Sequence, residues 1–283
     1  MDKRVAGVVV LYNPPEDVAD IVSSYIHQVQ FIYIIDNSRE RLPGSAPLIN
    51  NYQDKIEYIF NGVNLGVAAA INLGARKAVN AGYSFLLTMD QDSKAPPNMV
   101  ASLIEVADSK KNIGIVSPLH SNKFGTHLKF GSEAKEVMSV MTSGNLLSLA
   151  AFNKIGGFCE DFFIDYVDIE YCIRLNYFNF KVVQLGNIIL EHDEANISEK
   201  RFFFRKFYPT NNVPFRMYYK TRNLLYLRER YKNEYPRLLR KEYDVYLRNF
   251  VKIILFEKQR LLKIKMIFLG VLDYFNKKKG RRF

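Results

Sequence analysis

Short apolar runs rich in Val and Ile recur along the N-terminal part of the chain, each bounded by Asn, Asp, Gly or Pro. Such runs are typical of buried strands, and the segments between them have the length of helices. The predicted strands are Val5 to Leu11, Phe31 to Ile35, Ile56 to Phe60, Tyr83 to Met89 and Ile113 to Ser117. The predicted helices are Pro15 to Gln28, Val67 to Ala81 and Pro97 to Ser109. This alternation predicts an α/β fold with a mainly parallel sheet.

From about Tyr218 onward the pattern changes to a long helical periodicity with interleaved Lys and Arg. Apolar and aromatic side chains recur there at steps of three to five residues: Leu224, Leu227, Tyr231, Tyr235, Leu238, Tyr243 and Tyr246. We therefore predict a catalytic domain over residues 1–215 and a basic helical region over residues 216–283.

The charge of the chain is distributed unevenly. The formal net charge is +11, yet residues 196–283 contain 24 Lys and Arg against 7 Asp and Glu, so the remainder is mildly acidic. A basic C-terminal region suits an anionic membrane surface or a nucleic acid, and the alternative is a solvated basic face. With 48% hydrophobic and 24% charged residues, the composition is that of a folded globular protein.

The cysteines and the lengths of the apolar runs indicate the kind of compartment in which the protein works. Only Cys159 and Cys172 occur, without metal-ligand spacing, which argues for a reducing compartment and against structural zinc. The first apolar run is followed by polar residues and Pro, which favours a strand over a signal peptide. No apolar run approaches the roughly 18 residues that span a bilayer, so an integral membrane protein is not expected.

Polar residues follow each predicted strand, where ligands bind in open α/β sheets. Asp90-Gln91-Asp92 places two carboxylates at a strand end, where they could hold Mg²⁺ or Mn²⁺ against a diphosphate. A surface turn is the alternative for this motif. Asp36 follows the second strand and could accept a hydrogen bond from a nucleobase or ribose, or it could cap a turn.

Two further segments have candidate chemistry. Asn64-Leu65-Gly66 precedes a helix whose N-terminal amides could face a nucleotide, although close helix packing would explain the small residues as well. Downstream, Asp165 and Asp168 lie among bulky apolar residues, three apart, and are expected to share a helix face. A half-buried aspartate there could be a general base, and an acidic helix N-terminus is the alternative. His192 is a structural histidine or a metal ligand.

Taken in order, these residues resemble the family 2 glycosyltransferases, specifically their bacterial rhamnosyltransferase-like branch. The matching stretches are VVVLYNP from Val8, IIDNS from Ile34, NLGVAAAINLGARKA from Asn64, MDQDS from Met89, TSGNLLS from Thr142, GGFCEDFFIDYVDIEYCIRL from Gly156, His192 and YYKTRN from Tyr218. The resemblance implies the Rossmann-like, nucleotide-sugar-binding fold called GT-A.

The resemblance also implies roles for individual positions. Asp90 and Asp92 correspond to the metal and diphosphate site, Asp168 to the catalytic base, and His192 to a further metal ligand. The donor contacts implied are Tyr12, Asn13, Asp36, Asn64, Gly66 and Asp90. The Glu-Asp pair usual at the base is here Val167-Asp168, with Asp165 nearby, and this departure leaves the role of Asp165 open.

The reaction implied is inverting transfer of L-rhamnose from dTDP-L-rhamnose to a glycan acceptor that is lipid-linked or part of a growing cell-surface polysaccharide. Thr142-Ser143-Gly144-Asn145 would line the donor or acceptor pocket. A UDP-sugar donor on the same fold, and a non-enzymatic basic adaptor, are the alternatives. The absence of G-x-G-x-x-G after the first strand disfavours an NAD enzyme.

The C-terminal region is expected to dock the enzyme on the anionic inner face of the bacterial cell membrane, as a cytoplasmic peripheral protein without a nucleic-acid partner. Apolar residues recur there at helical spacing: Val251, Ile254, Leu255, Leu261, Leu262, Phe268, Leu269, Leu272 and Phe275. Basic residues are interleaved among them: Lys252, Lys258, Arg260, Lys263 and Lys265. The alternative is that this stripe packs on the catalytic domain or on a second subunit of a homo-oligomer.

Overall fold

The computed structural model describes residues 4–41, 43–121, 133–192, 198–202 and 205–283. Its internal contacts divide the chain into two compact units. The first, called here the sheet unit, comprises residues 1–159 and 168–193, and the second, the helical unit, comprises residues 160–167 and 194–283.

The described residues of the sheet unit form one nine-stranded sheet. Its strands are β1 (Val5–Leu11), β2 (Phe31–Asp36), β3 (Ile56–Phe60), β4 (Phe85–Asp90), β5 (Ser93–Lys94), β6 (Ile113–Ser121), β7 (Ala134–Glu136), β8 (Asn145–Ser148) and β9 (Lys181–His192). The order across the sheet is β3-β2-β1-β4-β8-β6-β9-β5, and β7 pairs with β9. The pairs β1–β2, β2–β3, β1–β4 and β6–β9 are parallel, whereas β8 is antiparallel to both its neighbours. The prediction of an α/β fold is confirmed.

Six helices accompany this sheet in the described part of the chain. They are α1 (Val18–Ile26), α2 (Ala46–Asn51), α3 (Val67–Asn80), α4 (Met99–Ser109), α5 (Leu149–Ile155) and α6 (Val167–Tyr177). The three helices predicted from the sequence correspond to α1, α3 and α4. The first begins later than predicted, at Val18, whose amide donates to the carbonyl oxygen of Pro15 at 3.2 Å.

Close packing of α3 on the sheet explains its run of small residues. Ala68 and Ala70 are fully buried, and a Cβ placed on Gly74 would lie 2.4 Å from Cγ2 of Val8 on β1. Real side chains do not approach so closely, so only glycine allows α3 this distance from the strand. Close packing on the sheet therefore accounts for the small residues of α3, as the sequence allowed.

The helical unit contains three long helices and a small hairpin. The helices are α7 (Pro214–Tyr231), α8 (Pro236–Phe256) and α9 (Arg260–Phe275), and β10 (Lys200–Phe202) pairs antiparallel with β11 (Arg205–Phe207). Helices α7 and α9 approach closely at Gly270, where a Cβ would lie 2.6 Å from the carbonyl oxygen of Tyr218. The prediction of a helical C-terminal region is confirmed. None of the described helices is both long and apolar enough to cross a bilayer.

Part of the basic surface predicted for this region is neutralised within the unit. Lys263 is buried, and its Nζ lies 2.6 Å from a carboxylate oxygen of the buried Glu257. Lys263 was expected among the basic residues that face the membrane surface, but it is buried, and its ammonium is paired with a carboxylate as a buried charge requires. Lys278 and Arg282 likewise pair with the buried Asp273.

A buried ion pair holds α6 in the sheet unit. Glu170 is buried, and Nε and Nη2 of Arg174, one turn later, both donate to its carboxylate at 2.9 to 3.0 Å. The same guanidinium donates to the carbonyl oxygens of Ile155, at 3.1 Å, and Gly157, at 2.6 Å. Arg174 thus joins the end of α5 to the helix that begins at Val167.

We predict that Arg174→Met lowers the free energy of unfolding by about 3–5 kcal/mol, because it removes the guanidinium from a buried carboxylate. Lys77→Met is the matched control, since it breaks a pair with Glu57 of similar length, 2.8 Å, whose side chains are 35% and 43% exposed. The control should lose less than about 1 kcal/mol. Urea unfolding of both variants measures the difference, and equal losses would contradict the prediction.

Candidate functional site

The register of the parallel strands brings several predicted site residues to one edge of the sheet. Leu11 at the end of β1 pairs with Asp36 at the end of β2, and Val10 pairs with Asp90 at the end of β4. The loops that follow these three strands therefore leave the sheet side by side. They contain Tyr12 and Asn13, Asn37 and Ser38, and Gln91 and Asp92.

Side chains join the three loops in place of further strand pairing. The Tyr12 amide donates to Oε1 of Gln91 at 2.8 Å, and Nε2 of Gln91 donates back to the Tyr12 carbonyl at 3.2 Å. The Asn13 amide donates to Oγ of Ser38 at 2.8 Å. Sequence reasoning treated Gln91 only as the spacer between two aspartates, whereas it is the connection between the loops after β1 and β4.

Asp36 is fully buried and accepts two hydrogen bonds from within the chain. Its Oδ1 accepts from the Ser38 amide at 2.8 Å, which is the turn-capping role, and its Oδ2 accepts from the Tyr58 hydroxyl. Burial and this bond to the Asp36 carboxylate raise the pKa of Tyr58 to about 12. The nucleobase contact predicted for Asp36 stays a prediction, and Tyr58 is a partner that the sequence did not indicate.

Amide side chains fix the loop between β3 and α3. Nδ2 of Asn61 donates to Oδ1 of Asn37 at 2.9 Å, and Nδ2 of Asn37 donates to the Gly66 carbonyl at 3.2 Å. Oδ1 of Asn64 accepts from the Gly66 amide at 2.9 Å, and Gly66 has a φ of 88°, which favours glycine. Asn64 and Gly66 thus shape the N-terminus of α3 at the same sheet edge, and their contact with the donor stays a prediction.

The Asp90-Gln91-Asp92 loop is fixed from its other side by the TSGN stretch. The Asp90 amide donates to Oγ of Ser143 at 3.2 Å, and that hydroxyl donates to Oγ of Ser93 at 2.8 Å. Ser143 and Ser93 are both buried, whereas Asp90 and Asp92 are half-buried. A buried serine pair therefore connects the backbone of Asp90 to Ser93, the residue that follows Asp92.

The two carboxylates of this motif also affect a buried tyrosine of the core. Tyr25 on α1 is fully buried, and burial, followed by the charges of Asp90 and Asp92, raises the pKa of its hydroxyl. Among the described side chains, no group of three or more His, Cys, Asp or Glu is arranged as a metal site.

His192 ends β9 directly opposite Ser93 in the antiparallel β5–β9 pair. Its backbone is therefore next to the residue that follows Asp92, although its side chain lies outside the described part of the chain. The two residues are far apart in the sequence, so the sequence did not indicate that they are neighbours. The role of His192 as a metal ligand stays a prediction, and the strand register places its backbone beside Ser93.

Asp168 lies in the first turn of α6, half-buried, and its Oδ1 accepts from the Ile169 amide at 2.8 Å. The expectation that Asp165 and Asp168 share a helix face is wrong, because α6 begins at Val167 and Asp165 precedes it with a φ of 63°. Within the helical unit, Asp165 instead pairs with Arg216. The role of Asp168 as the base stays a prediction.

Comparison with known proteins gives the family. The model of glycosyl transferase family 2 matches residues 8–164. The dTDP-rhamnosyl transferase RfbF of Shigella flexneri is 26% identical over 96% of this chain and 96% of its own. The low-salt glycan biosynthesis hexosyltransferase Agl10 of Haloferax volcanii is 24% identical over 69% of this chain and 68% of its own.

Solved glycosyltransferases have the same fold. The structure of residues 1–349 of TarS from S. aureus in complex with UDP-GlcNAc aligns with 97% of this chain and 81% of that chain, at a TM-score of 0.64 and 12% identity. GalNAc-T7 with UDP, GalNAc and Mn²⁺ aligns at a TM-score of 0.56 and 14% identity over 69% of this chain, although only 46% of that chain is covered. Since the family model matches more than half of its residues, this chain belongs to glycosyl transferase family 2.

Proposed function

We propose that this glycosyltransferase moves L-rhamnose from dTDP-L-rhamnose, with inversion, onto a hydroxyl of a lipid-linked or growing cell-surface polysaccharide. The observation that carries the reaction is the meeting of the β1, β2, β4 and β9 ends around Asp90-Gln91-Asp92. The donor rests on likeness to the Shigella flexneri dTDP-rhamnosyl transferase, which extends along nearly the whole of both chains.

The side chains at this edge include the oxygen ligands that a divalent cation prefers. Asp90 and Asp92 offer hard oxygen ligands on a loop fixed by Ser143, and His192 follows the strand paired with Ser93. We propose these three as the ligands of Mg²⁺ or Mn²⁺. When bound, the ion would neutralise charge that develops on the leaving diphosphate.

Asp168 is proposed as the general base. Its carboxylate takes the proton from the acceptor hydroxyl as the acceptor oxygen forms a bond to the anomeric carbon of the donor. The bond from that carbon to the diphosphate oxygen breaks, and its electron pair leaves with dTDP. Tyr12, Asn13, Asp36, Asn64 and Gly66 line the edge on which the nucleotide would lie. No covalent intermediate is required.

A UDP-sugar is the competing donor, because TarS, which has this fold, was solved with UDP-GlcNAc. A screen of dTDP-L-rhamnose against UDP-GlcNAc separates the two donors. Release of the nucleoside diphosphate, with water as the acceptor, is the readout. Faster release of UDP from UDP-GlcNAc than of dTDP from dTDP-L-rhamnose would show that the proposed donor is wrong, and the proposed reaction type would stay the same.

We predict that excess EDTA and the variant Asp92→Asn each lower release of dTDP from dTDP-L-rhamnose by about 10²-fold, because charge on the diphosphate is no longer neutralised. Mn²⁺ should raise the melting temperature of the wild type and not that of Asp92→Asn. Asp20→Asn, which changes an exposed aspartate on α1, is the control and should behave as the wild type. Full turnover in excess EDTA would contradict the metal site.

A separate experiment tests the base. Asp168→Asn should lower turnover by roughly 10²-fold or more while the Kd for dTDP stays within about twofold, since the amide cannot accept the proton. Asp20→Asn, which changes the exposed aspartate on α1, is the control here as well and should keep wild-type turnover. Near-normal turnover of Asp168→Asn would assign the role to another residue.

We further propose that α8 and α9 dock the protein on the anionic inner face of the cell membrane. Exposed apolar side chains form one stripe on each helix: Leu247, Val251, Ile254 and Leu255 on α8, and Leu261, Ile264, Phe268, Leu272 and Phe275 on α9. Leu261 is 84% exposed, Phe275 73% and Phe268 61%. Exposed basic residues flank the stripes: Arg248, Lys258, Arg260 and Lys265. Apolar stripes with basic flanks suit a bilayer with anionic headgroups.

We predict that the triple variant Leu261→Ser, Phe268→Ser, Phe275→Ser binds phosphatidylglycerol vesicles at least about tenfold more weakly than the wild type, because it removes the three most exposed apolar side chains of the stripes. Tyr177→Ser with Phe178→Ser is the control, since both side chains are exposed in the sheet unit. Cosedimentation with phosphatidylglycerol and phosphatidylcholine vesicles measures binding. Equal binding to both lipids at low salt, or by the triple variant, would show that the stripes have another function.

A further inference from the structure

Residues 161–166, called here the 161–166 segment, have a backbone that their side chains do not favour. Phe163, Asp165 and Tyr166 have φ values of 65°, 63° and 64°, in the left-handed region. Bulky residues rarely adopt this conformation, and such outliers persist only where surrounding groups hold them. The segment leads through Val167 directly to Asp168, so its backbone immediately precedes the first turn of α6.

Asn223 on α7 provides the first restraint. It is fully buried, and its Nδ2 donates to the carbonyl oxygens of Phe162 at 2.8 Å, Ile164 at 2.8 Å and Asp165 at 3.0 Å. One amide group thus collects three carbonyl oxygens of the segment. Its own Oδ1 accepts from Nε and Nη2 of Arg222 at 3.1 and 3.0 Å, which fixes the orientation of the amide.

Arg222 provides the second restraint from the next position along the helix. It is also fully buried, and its Nη2 donates to the carbonyl oxygens of Asp161 at 3.0 Å and Phe162 at 3.4 Å. Its Nη1 donates to the Gly280 carbonyl at 2.8 Å, and the guanidinium lies 5.1 Å from the ring centre of Tyr219. A planar group with five donors can satisfy this many acceptors, which lysine cannot do.

Arg216, earlier on α7, provides the third restraint. Its Nε and Nη2 donate to the two carboxylate oxygens of Asp165 at 3.2 and 2.5 Å. The Asp165 side chain is 7% exposed and that of Arg216 is 36% exposed. Three side chains of one helix therefore hold one segment of six residues through its carbonyls and its carboxylate.

We propose that Asn223, Arg222 and Arg216 are positioning residues: by holding the backbone of the 161–166 segment, they restrain the chain that enters the first turn of α6 at Val167 and Asp168. This proposal rests on the proposed role of Asp168 as the base. Composition and periodicity indicated no function for the YYKTRN stretch. On this proposal its Arg222 and Asn223 affect the reaction by holding the backbone that precedes Asp168, without touching the substrate.

The test is a double-mutant cycle on release of dTDP from dTDP-L-rhamnose with water as the acceptor. Asn223→Ala should lower kcat about tenfold or more and change the KM for the donor by less than about twofold. In an Asp168→Asn background the same substitution should change kcat by less than about twofold, because its effect passes through a carboxylate that is no longer there. Tyr246→Phe is the control, since it removes a 2.7 Å hydrogen bond to Thr221 on α7 without touching the segment, and it should keep wild-type kcat.

The outcomes of this cycle distinguish failure of the positioning role from failure of the proposed base. A wild-type kcat for Asn223→Ala, an equal loss of kcat in both backgrounds, or the same loss in Tyr246→Phe overturns the positioning role. If Asp168→Asn itself keeps normal turnover, the proposed base is wrong, and the cycle then shows this separately. Should Asn223→Ala fail to fold, Arg216→Met serves as the second variant, because its side chain is partly exposed. It should show the same dependence on Asp168, and additive losses would overturn the proposal.

Discussion

The register of the parallel pairs around β1 is the constraint on which the rest of the site depends. Pairing of Leu11 with Asp36 and of Val10 with Asp90 makes three strands end at nearly the same level. Because successive side chains of a strand point to opposite faces, a slip of one residue would reverse the placement of every side chain at this edge. Both faces of β1 and β2 are apolar and largely buried, so such a slip would place a larger side chain opposite Ile32, where a Cβ on Gly7 would already lie 3.1 Å from Cγ1.

Much of the sheet unit could be predicted from its sequence because its signals are local. Apolar runs bounded by turn residues located β1 to β4 and β6 to within two residues at their starts, and the length of the segments between strands located α3 and α4. The antiparallel insertion of β8 between β4 and β6, and the pairing that brings His192 opposite Ser93, depend on contacts between distant parts of the chain. No local pattern contains that information.

Sequence reasoning went wrong where polar side chains are buried. Helical spacing predicted α7, yet the face it buries includes Thr221, Arg222 and Asn223, which an apolar periodicity does not reveal. The same limit explains Lys263, whose charge suggested solvent and whose partner Glu257 lies at the end of the preceding helix. Asp165 was assigned to a helix face because the spacing is right, and only the left-handed backbone before α6 excludes it. Buried polar groups are satisfied by specific partners, so their positions follow from tertiary structure.

The Gln91 side chain takes the place that a backbone would have in a longer sheet. Its amide pairs with both the N–H and the carbonyl of Tyr12, so two loops that follow different strands are joined as neighbouring strands are. If this pair breaks, the Tyr12 amide, the Tyr12 carbonyl and the Gln91 side chain lose these partners together. A displacement of either loop therefore removes a restraint on the other, because both bonds belong to the same pair of residues.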